Sequence, residues 1–134
     1  MKKIVIALLG VLVLASCAHQ RFDHRHRAMD PLRPLVNVVG GRFIVVNQEP
    51  LVFLKDQRDV VITWQLPPGS NLRFARDGIV IDKAGDEFVN CGPRDDGLMF
   101  SCTNRHTKPG KYSYTIRLLD GDKRIQSDPT IMNE

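Results

Sequence analysis

Few side chains in this sequence have the types and spacing that catalysis needs. Beyond residue 34, His106 is the single histidine, so a serine or cysteine nucleophile would have at most one imidazole as its general base. The sequence contains no EF-hand, zinc or phosphate-binding glycine motif. It therefore predicts a protein that is not an enzyme and that needs no cofactor.

The acidic side chains beyond residue 80 fall in turns or at strand ends. Those that lie closest to turn sequences are Asp82, Asp86, Glu87, Asp95, Asp96, Asp120 and Asp122. Polar side chains are common at such places because they hydrogen-bond to the turn backbone. A calcium site is the alternative, but we expect solvated turns and no metal.

The N-terminus has the layout of an export signal. Lys2 and Lys3 precede an apolar run over residues 4–15, which is shorter than the roughly 20 residues of a membrane-spanning helix. The run ends in Leu14-Ala15-Ser16-Cys17, and this sequence resembles the lipobox of bacterial lipoproteins. A plain signal peptide followed by a chance cysteine is the alternative.

The lipobox resemblance implies how the mature protein is anchored. Residues 1–16 would be removed as a signal peptide, and Cys17 would become the first residue and carry lipid, including palmitate. Two or more acyl chains hold a protein stably on a membrane, where one chain is marginal. Ala18, rather than an aspartate, follows the cysteine, which resembles the outer-membrane signal of Gram-negative bacteria. We therefore expect a lipid-anchored protein on the periplasmic side of the outer membrane.

The charge balance depends on this cleavage. The whole chain has 19 Lys and Arg against 15 Asp and Glu, a formal net charge of +4. Loss of Lys2 and Lys3 with the signal peptide lowers the net charge to +2. Nucleic-acid binding proteins carry a marked basic excess, so we expect no nucleic-acid partner.

With Cys17 assigned to lipid, Cys91 and Cys102 remain as a pair in an oxidising compartment. We expect a disulfide, which would stabilise the fold by about 2–3 kcal/mol through the entropy of the unfolded chain. Two free thiols or a metal pair are the alternatives. The metal pair is disfavoured because His106 is the only histidine near them.

Residues 17–34 have no sustained apolar period and contain Pro31 and Pro34 near their end, which is typical of a flexible tether. The tether carries four arginines and three histidines: Arg21, Arg25, Arg27, Arg33, His19, His24 and His26. The arginines could lie against anionic head groups or cell-wall polymer, although a solvated spacer is the simpler expectation. The histidines could bind Cu or Ni weakly, but they have no acid or thiol partner in a structured frame.

From residue 35 onward the apolar period changes to two, which predicts β-strands. The strongest candidates alternate inward residues over two segments: Val60, Ile62, Trp64 and Leu66, and Tyr112, Tyr114, Ile116 and Leu118. Weaker candidates are Leu35–Val39, Phe43–Asn47, Leu51–Leu54, Leu72–Ala75, Ile79–Asp82, Glu87–Cys91, Met99–Asn104, Arg124–Ser127 and Thr130–Met132. The pattern predicts an all-β domain over residues 35–134, an antiparallel two-sheet sandwich that resembles immunoglobulin-like domains.

Three Asp-Gly pairs predict hairpin turns, because aspartate and glycine tolerate the positive φ that tight turns need. Asp77-Gly78, Asp96-Gly97 and Asp120-Gly121 each separate two predicted strands. Three hairpins in series would make an antiparallel meander. Cys91 and Cys102 would then lie on neighbouring strands and clamp the hairpin whose turn is Asp96-Gly97.

Two groups of residues are candidates for binding. The disulfide could stiffen the loop that contains Arg94, Asp95 and Asp96, and loops on rigid scaffolds commonly carry binding sites; the simpler expectation is that it only holds a hairpin. Arginine and phenylalanine also interleave at five other positions: Arg42, Phe43, Arg73, Phe74 and Arg76. These could face a sugar or an acidic partner, but alternation makes Phe43 and Phe74 more simply core residues.

The function that fits these features best is a lipid-anchored module that binds another envelope protein, through its loops or a strand edge, as an accessory subunit of a larger assembly. The alternative is a ligand-binding or inhibitor module that acts on a cell-envelope polymer or a hydrolase. Exposure distinguishes the two, because aromatic side chains along one groove would favour a ligand. A flat, uncovered strand edge would favour a protein partner.

Overall fold

The computed structural model describes residues 29–134. The predicted signal peptide, the lipobox with Cys17, and the tether as far as residue 28 lie outside the described residues. In the described part of the chain, no helix is long and apolar enough to cross a membrane.

Within this part the chain forms ten β-strands. They are β1 (Val36–Val39), β2 (Phe43–Val46), β3 (Leu51–Phe53), β4 (Val60–Gln65), β5 (Arg73–Ile81), β6 (Phe88–Arg94), β7 (Met99–Asn104), β8 (Gly110–Asp120), β9 (Lys123–Ser127) and β10 (Thr130–Asn133). A short turn of 3-10 type, Asp95–Gly97, joins β6 to β7. The all-β prediction is confirmed.

The strands form three sheets. β1 and β2 make a hairpin, β4, β7 and β6 make a three-stranded sheet in that order, and the largest sheet has the order β3-β10-β8-β5. β9 also pairs with β8, on residues Ile116–Asp120, while β10 pairs with its start at Gly110–Ser113. Pairing is antiparallel except between β3 and β10, which run parallel.

Aromatic pairs join the two larger sheets. Trp64 on β4 and Tyr114 on β8 are 0% and 1% exposed, their ring centres are 5.5 Å apart, and the indole Nε1 donates to the tyrosine hydroxyl at 3.3 Å. Phe74 on β5 and Phe100 on β7 lie 5.9 Å apart. Burial raises the pKa of Tyr114, with a smaller opposing effect of the Trp64 hydrogen bond. Two facing layers with a shared aromatic core are compatible with a β-sandwich.

The predicted inward faces are confirmed. Along β4, Ile62 and Trp64 are buried, whereas Val61 on the opposite face is 53% exposed. Along β8, Tyr114, Ile116 and Leu118 are buried. The period of two therefore identified which face of each central strand enters the core.

One predicted hairpin is wrong. Asp77-Gly78 lies inside β5, where the register with β8 shifts between Phe74 and Ile79. Gly78 is packed so closely that an added Cβ would lie 2.8 Å from the carbonyl oxygen of Ala75. The extra residues form a bulge rather than a turn, so residues 73–81 are one strand on the edge of the larger sheet, and the predicted three-hairpin meander does not form.

The other two Asp-Gly turns are confirmed. Asp96 and Gly97 have φ values of 50° and 79°, and Gly121 has a φ of 56°. The first turn joins β6 to β7 and the second joins β8 to β9.

The predicted disulfide is also confirmed. Cys91 on β6 bonds to Cys102 on β7, with the Cα atoms 4.2 Å apart. Asn90 and Cys91 both lie opposite Cys102, because the β6–β7 register shifts between Val89 and Gly92. The bridge therefore spans a β-bulge within one sheet, unlike the bridge between sheets in antibody domains.

The end of the predicted tether contacts the domain. The main-chain oxygens of Leu32 and Pro34 accept hydrogen bonds from Thr63 N at 2.8 Å and Gln65 N at 3.0 Å. Pro34 is fully buried, and Leu32 packs against the core. This segment occupies the outer edge of β4, which would otherwise have no strand beside it.

Candidate functional site

A cleft of about 390 Å³ lies between β5 and the β6–β7 turn. Arg73 and Arg76 of β5 form one side, and Arg94, Asp95 and Asp96 form the other. The structure therefore brings together the candidate loop and three members of the arginine and phenylalanine set. Phe74 contributes to the cleft from a position that is 4% exposed.

The β6–β7 turn has an unusual backbone. Asp95, Asp96 and Gly97 are consecutive and all left-handed, with φ values of 49°, 50° and 79°. Aspartate enters this region more readily than most residues, but each such residue costs about 1 kcal/mol or more. Leu98 N closes the turn by donating to Asp95 O at 2.9 Å. Strain of this kind is concentrated in binding loops and other functional segments.

Gly97 allows the turn to approach β5. A Cβ at this position would lie 3.1 Å from the Cβ of Arg73, closer than most side-chain contacts. The turn therefore rests directly on the aliphatic stem of Arg73. This contact joins the turn to the β5 side of the cleft.

The guanidinium groups of the cleft are held by main-chain oxygens. Arg73 Nη1 donates to Ser70 O and Leu72 O, both at 2.7 Å, and Arg94 Nη1 donates to Pro93 O at 3.1 Å. Neutral carbonyl partners orient a guanidinium without cancelling its charge. Arg76 is exposed.

The salt bridges within residues 29–134 lie elsewhere. Arg105 approaches Asp86 at 3.5 Å, and Arg117 and Arg124 approach Asp77 at 2.8 and 3.5 Å. Among the described residues, none of the three cleft arginines is paired with a carboxylate. The cleft has three positive and two negative groups, so it is mixed in sign with a positive excess.

The disulfide lies directly behind this turn. Cys91 is three positions before Arg94 and is exposed, whereas Cys102 is fully buried in the core. The covalent link therefore ties the base of the β6–β7 hairpin to the rigid interior. It leaves the turn itself on the surface.

The arginine and phenylalanine set does not form one groove. Phe74 is buried, as expected, but Phe43 is 56% exposed, so its assignment to the core is wrong. Phe43 lies on the β1–β2 hairpin, with the Arg42 guanidinium carbon 4.5 Å from its ring centre. Alternation does place Phe43 and Ile44 on opposite faces of β2, and Ile44 is the one that the core covers.

The His106 side chain contacts two other segments of the chain. Its Nδ1 lies 3.1 Å from Gln57 O, its Nε2 lies 2.9 Å from Glu134 O, and its side chain is largely buried. Both ring nitrogens therefore contact main-chain oxygens, so the imidazole holds the loop before β8 against the other two segments.

Glu87 is the exception among the acidic residues predicted to be solvated. It is 3% exposed, and its carboxylate accepts from Thr107 N at 2.8 Å, from Lys108 N at 3.2 Å and from the Thr107 hydroxyl. The expectation of a solvated turn is wrong here because the Glu87 side chain is buried and supplies the acceptors for the loop before β8. Desolvation raises the pKa of Glu87, but these hydrogen bonds and the charge of Lys108 outweigh it and hold the pKa below its ordinary value.

A second, smaller cavity was not predicted. It has a volume of about 230 Å³ and is lined by Lys55, Arg58, His106 and Thr107, among others. Its residues come from three distant parts of the chain, so no local pattern could have identified it. Among residues 29–134, no group of three His, Cys, Asp or Glu side chains is placed to hold a metal ion.

No protein-family model matches the sequence, and a search of curated proteins finds no significant match.

Proposed function

We propose that this chain is a lipid-anchored module of the bacterial envelope that binds another envelope protein, as an accessory subunit of a larger assembly. The observation that supports it most is the cleft between β5 and the β6–β7 turn. Among the described residues its arginines are not paired with a carboxylate, and its turn is held in a left-handed backbone conformation that costs free energy. A surface with both signs of charge suits a partner protein with the complementary pattern.

Three strand edges are poorly suited to pairing with an added strand. β6 contains a bulge, a left-handed Asn90 and Pro93, which has no N–H to donate. The outer edge of β4 is occupied by the segment that contains Leu32 and Pro34, and β3 has three residues. These features are typical of edges that discourage β-augmentation.

The anchor and the finer fold class are parts of the same proposal. The lipobox resemblance supports lipid on Cys17 and a position on the periplasmic face of the outer membrane. An immunoglobulin-like arrangement is supported by the two facing sheets and by a buried tryptophan at the centre of β4. A ligand-binding role is less well supported, because the exposed Phe43 and the cleft belong to different hairpins.

Charge reversal in the cleft tests the proposal. The full-length protein is produced in a Gram-negative host, crosslinked in intact cells and captured, as wild type and as the double variant Arg76→Glu/Arg94→Glu. We expect one envelope protein at a fixed ratio with the wild type and at least tenfold less with the variant, because like charges across an interface repel. Lys83→Glu/Lys111→Glu, the same change in charge at two exposed basic residues outside both cavities, is the matched control and should keep the partner.

Two results would contradict the proposal. Equal capture by the wild type and the double variant would show that the cleft is not the binding surface. Retention on cell-wall polymer without any protein partner would favour the ligand-binding alternative. Mass spectrometry of the mature N-terminus tests the anchor separately, and an unmodified chain that begins anywhere other than Cys17 would rule it out.

A further inference from the structure

The β1–β2 hairpin exposes an apolar face that the proposed cleft does not use. Val39, Phe43 and Val45 are 57%, 56% and 48% exposed. Val39 and Phe43 are directly opposite each other in the antiparallel ladder, and Val45 follows Phe43 by two residues on the same face. The opposite face carries Val36 and Ile44 into the core. The hairpin is thus anchored on one side and uncovered on the other.

The tip of this hairpin stands clear of the rest of the described chain. Gly40 and Gly41 have φ values of 60° and 69°, and a Cβ on either would meet no atom within 4 Å. Arg42 follows them, with its guanidinium over the ring of Phe43. An aromatic ring beside a cation at an open tip suits a membrane interface, where the ring enters the acyl boundary and the cation meets phosphate.

The cation at the hairpin tip has the sign of charge that an anionic bilayer requires. Arg42 is exposed and lies next to the exposed apolar residues, with its guanidinium carbon 4.5 Å from the centre of the Phe43 ring. Near an anionic surface, basic side chains contribute attraction that salt weakens. A second copy of this chain would present the same cations and repel them.

The chain upstream brings the hairpin within reach of a bilayer. This step rests on the proposed lipid at Cys17. Residues 17–29, fully extended, span at most about 45 Å. The domain is thereby held near the membrane surface, and β1 begins only seven positions after Met29.

We propose that the β1–β2 hairpin docks on the anionic lipid surface of the membrane, with Phe43, Val39 and Val45 at the acyl boundary and Arg42 on lipid phosphate. This contact orients the domain on its tether. It fixes which side of the sandwich faces away from the bilayer.

Vesicle binding by a protein without lipid tests this inference apart from the anchor. The chain from residue 17 to 134 with Cys17→Ser and an intact disulfide is sedimented with large vesicles. One set is an equimolar mixture of phosphatidylethanolamine and phosphatidylglycerol, and the other is phosphatidylcholine alone. We expect binding to the anionic vesicles that high salt weakens. Phe43→Ala should reduce partitioning roughly tenfold, because the lost contact is that of a large apolar side chain.

Matched variants separate this contact from a general surface effect. Val61→Ala, at a similarly exposed apolar residue on β4, should partition like the wild type. Arg42→Glu should weaken binding to anionic vesicles and leave the low binding to phosphatidylcholine unchanged. In Phe43→Trp, the added indole should show blue-shifted emission with anionic vesicles, whereas Trp64 is fully buried and gives a constant background.

Equal partitioning of the wild type and Phe43→Ala, or no spectral shift in Phe43→Trp, would overturn the inference. So would a dimer in sedimentation equilibrium that Phe43→Ala abolishes, because the apolar face would then be an interface between copies. Vesicle binding tests the hairpin separately from the proposed partner. Arg76→Glu/Arg94→Glu should still bind anionic vesicles, and its binding should be weaker only because the net charge of the protein is lower. The outcome is independent of lipidation because the tested protein has none.

Discussion

Glu87 shows how one side chain organises a loop in this domain. Its carboxylate accepts two main-chain N–H groups and one hydroxyl from Thr107 and Lys108, and its own main-chain oxygen accepts from Arg105 N at 2.8 Å. The loop before β8 carries His106, whose ring contacts two other segments. Removing the carboxylate would remove three hydrogen bonds to a charged acceptor that is itself buried, which is costly.

We expect Glu87→Ala to lower the free energy of unfolding by about 2–3 kcal/mol, because the loop loses its hydrogen bonds to a charged acceptor, which are stronger than those to a neutral one. Urea unfolding followed by circular dichroism measures it. Asp86→Ala is the matched control, since Asp86 is 78% exposed and only approaches Arg105 at 3.5 Å. The control should change stability by less than about 0.5 kcal/mol.

The stability that Glu87 contributes decreases as the pH falls. The folded pKa of Glu87 lies below its ordinary value of 4.5, so the carboxylate contributes stability above that value and loses it as the pH falls through the lowered pKa. The pKa of Asp77 is also lowered: desolvation raises it, but a main-chain hydrogen bond and the charges of Arg124 and Arg117 outweigh this effect. Asp77 is present in both the wild type and Glu87→Gln, so it affects both curves alike. Because only the wild type has the Glu87 carboxylate, it should lose more stability than Glu87→Gln between neutral and acid pH. Parallel curves would contradict the role given to Glu87.

At the residue scale, the sequence predicted which residues of β4 and β8 enter the core, but it did not predict that Phe43 is exposed. Alternation states that neighbours point to opposite faces. It does not state which face another element covers. On β8, the face that carries the apolar residues is also the face that the other sheet covers. On β2, Phe43 and Ile44 are both apolar, and only the packing of the hairpin decides which of the two is buried.

At the scale of elements, β5 shows why a turn motif can fail. Asp77-Gly78 has the local preference for a hairpin, yet Asp77 accepts hydrogen bonds from Arg117 on β8 and Arg124 on β9, and β8 pairs with both halves of β5. Long-range pairing therefore overrides the turn preference, and the motif is absorbed as a bulge. Asp96-Gly97 and Asp120-Gly121 face no such competition.

Gly78→Ala tests this explanation. A Cβ would lie 2.8 Å from Ala75 O, 2.9 Å from Phe74 Cβ and 3.0 Å from Phe100 Cδ2, so we expect a loss of about 1–3 kcal/mol in the free energy of unfolding from overpacking. Denaturant unfolding measures it. Gly110→Ala is the control, because its nearest contact would be an ordinary 3.5 Å from Tyr112. Equal stability of both variants would show that the bulge adapts freely.

At the scale of the whole molecule, the sequence did not predict which distant strands pair. Most strand boundaries were predicted to within about two residues, because polar turns and apolar alternation are local signals. The parallel pairing of β3 with β10 and the approach of β5 to the β6–β7 turn depend on packing over the whole domain. Arg94, Asp95 and Asp96 were predicted as a loop, but only the fold places Arg73 and Arg76 across from them.

The disulfide acts at this scale, because it restricts the whole unfolded chain. We expect Cys91→Ser/Cys102→Ser to lower the free energy of unfolding by about 2–3 kcal/mol, measured by urea unfolding under oxidising conditions. Wild type in reducing buffer should match the double variant, and a reductant should leave the double variant unchanged. If the bridge also stiffens the β6–β7 turn, capture of the partner falls with it; full capture by the double variant would show that it only holds the hairpin.

The segment that contains Leu32 and Pro34 has a mechanical consequence. It is hydrogen-bonded to Thr63 and Gln65 in the same direction as β4, and the proposed anchor lies upstream of it. Tension along β4 would load the two hydrogen bonds together in shear, whereas tension across the sheet would break them one after the other. The domain would thus resist a pull from the membrane best when that pull runs along its own strands.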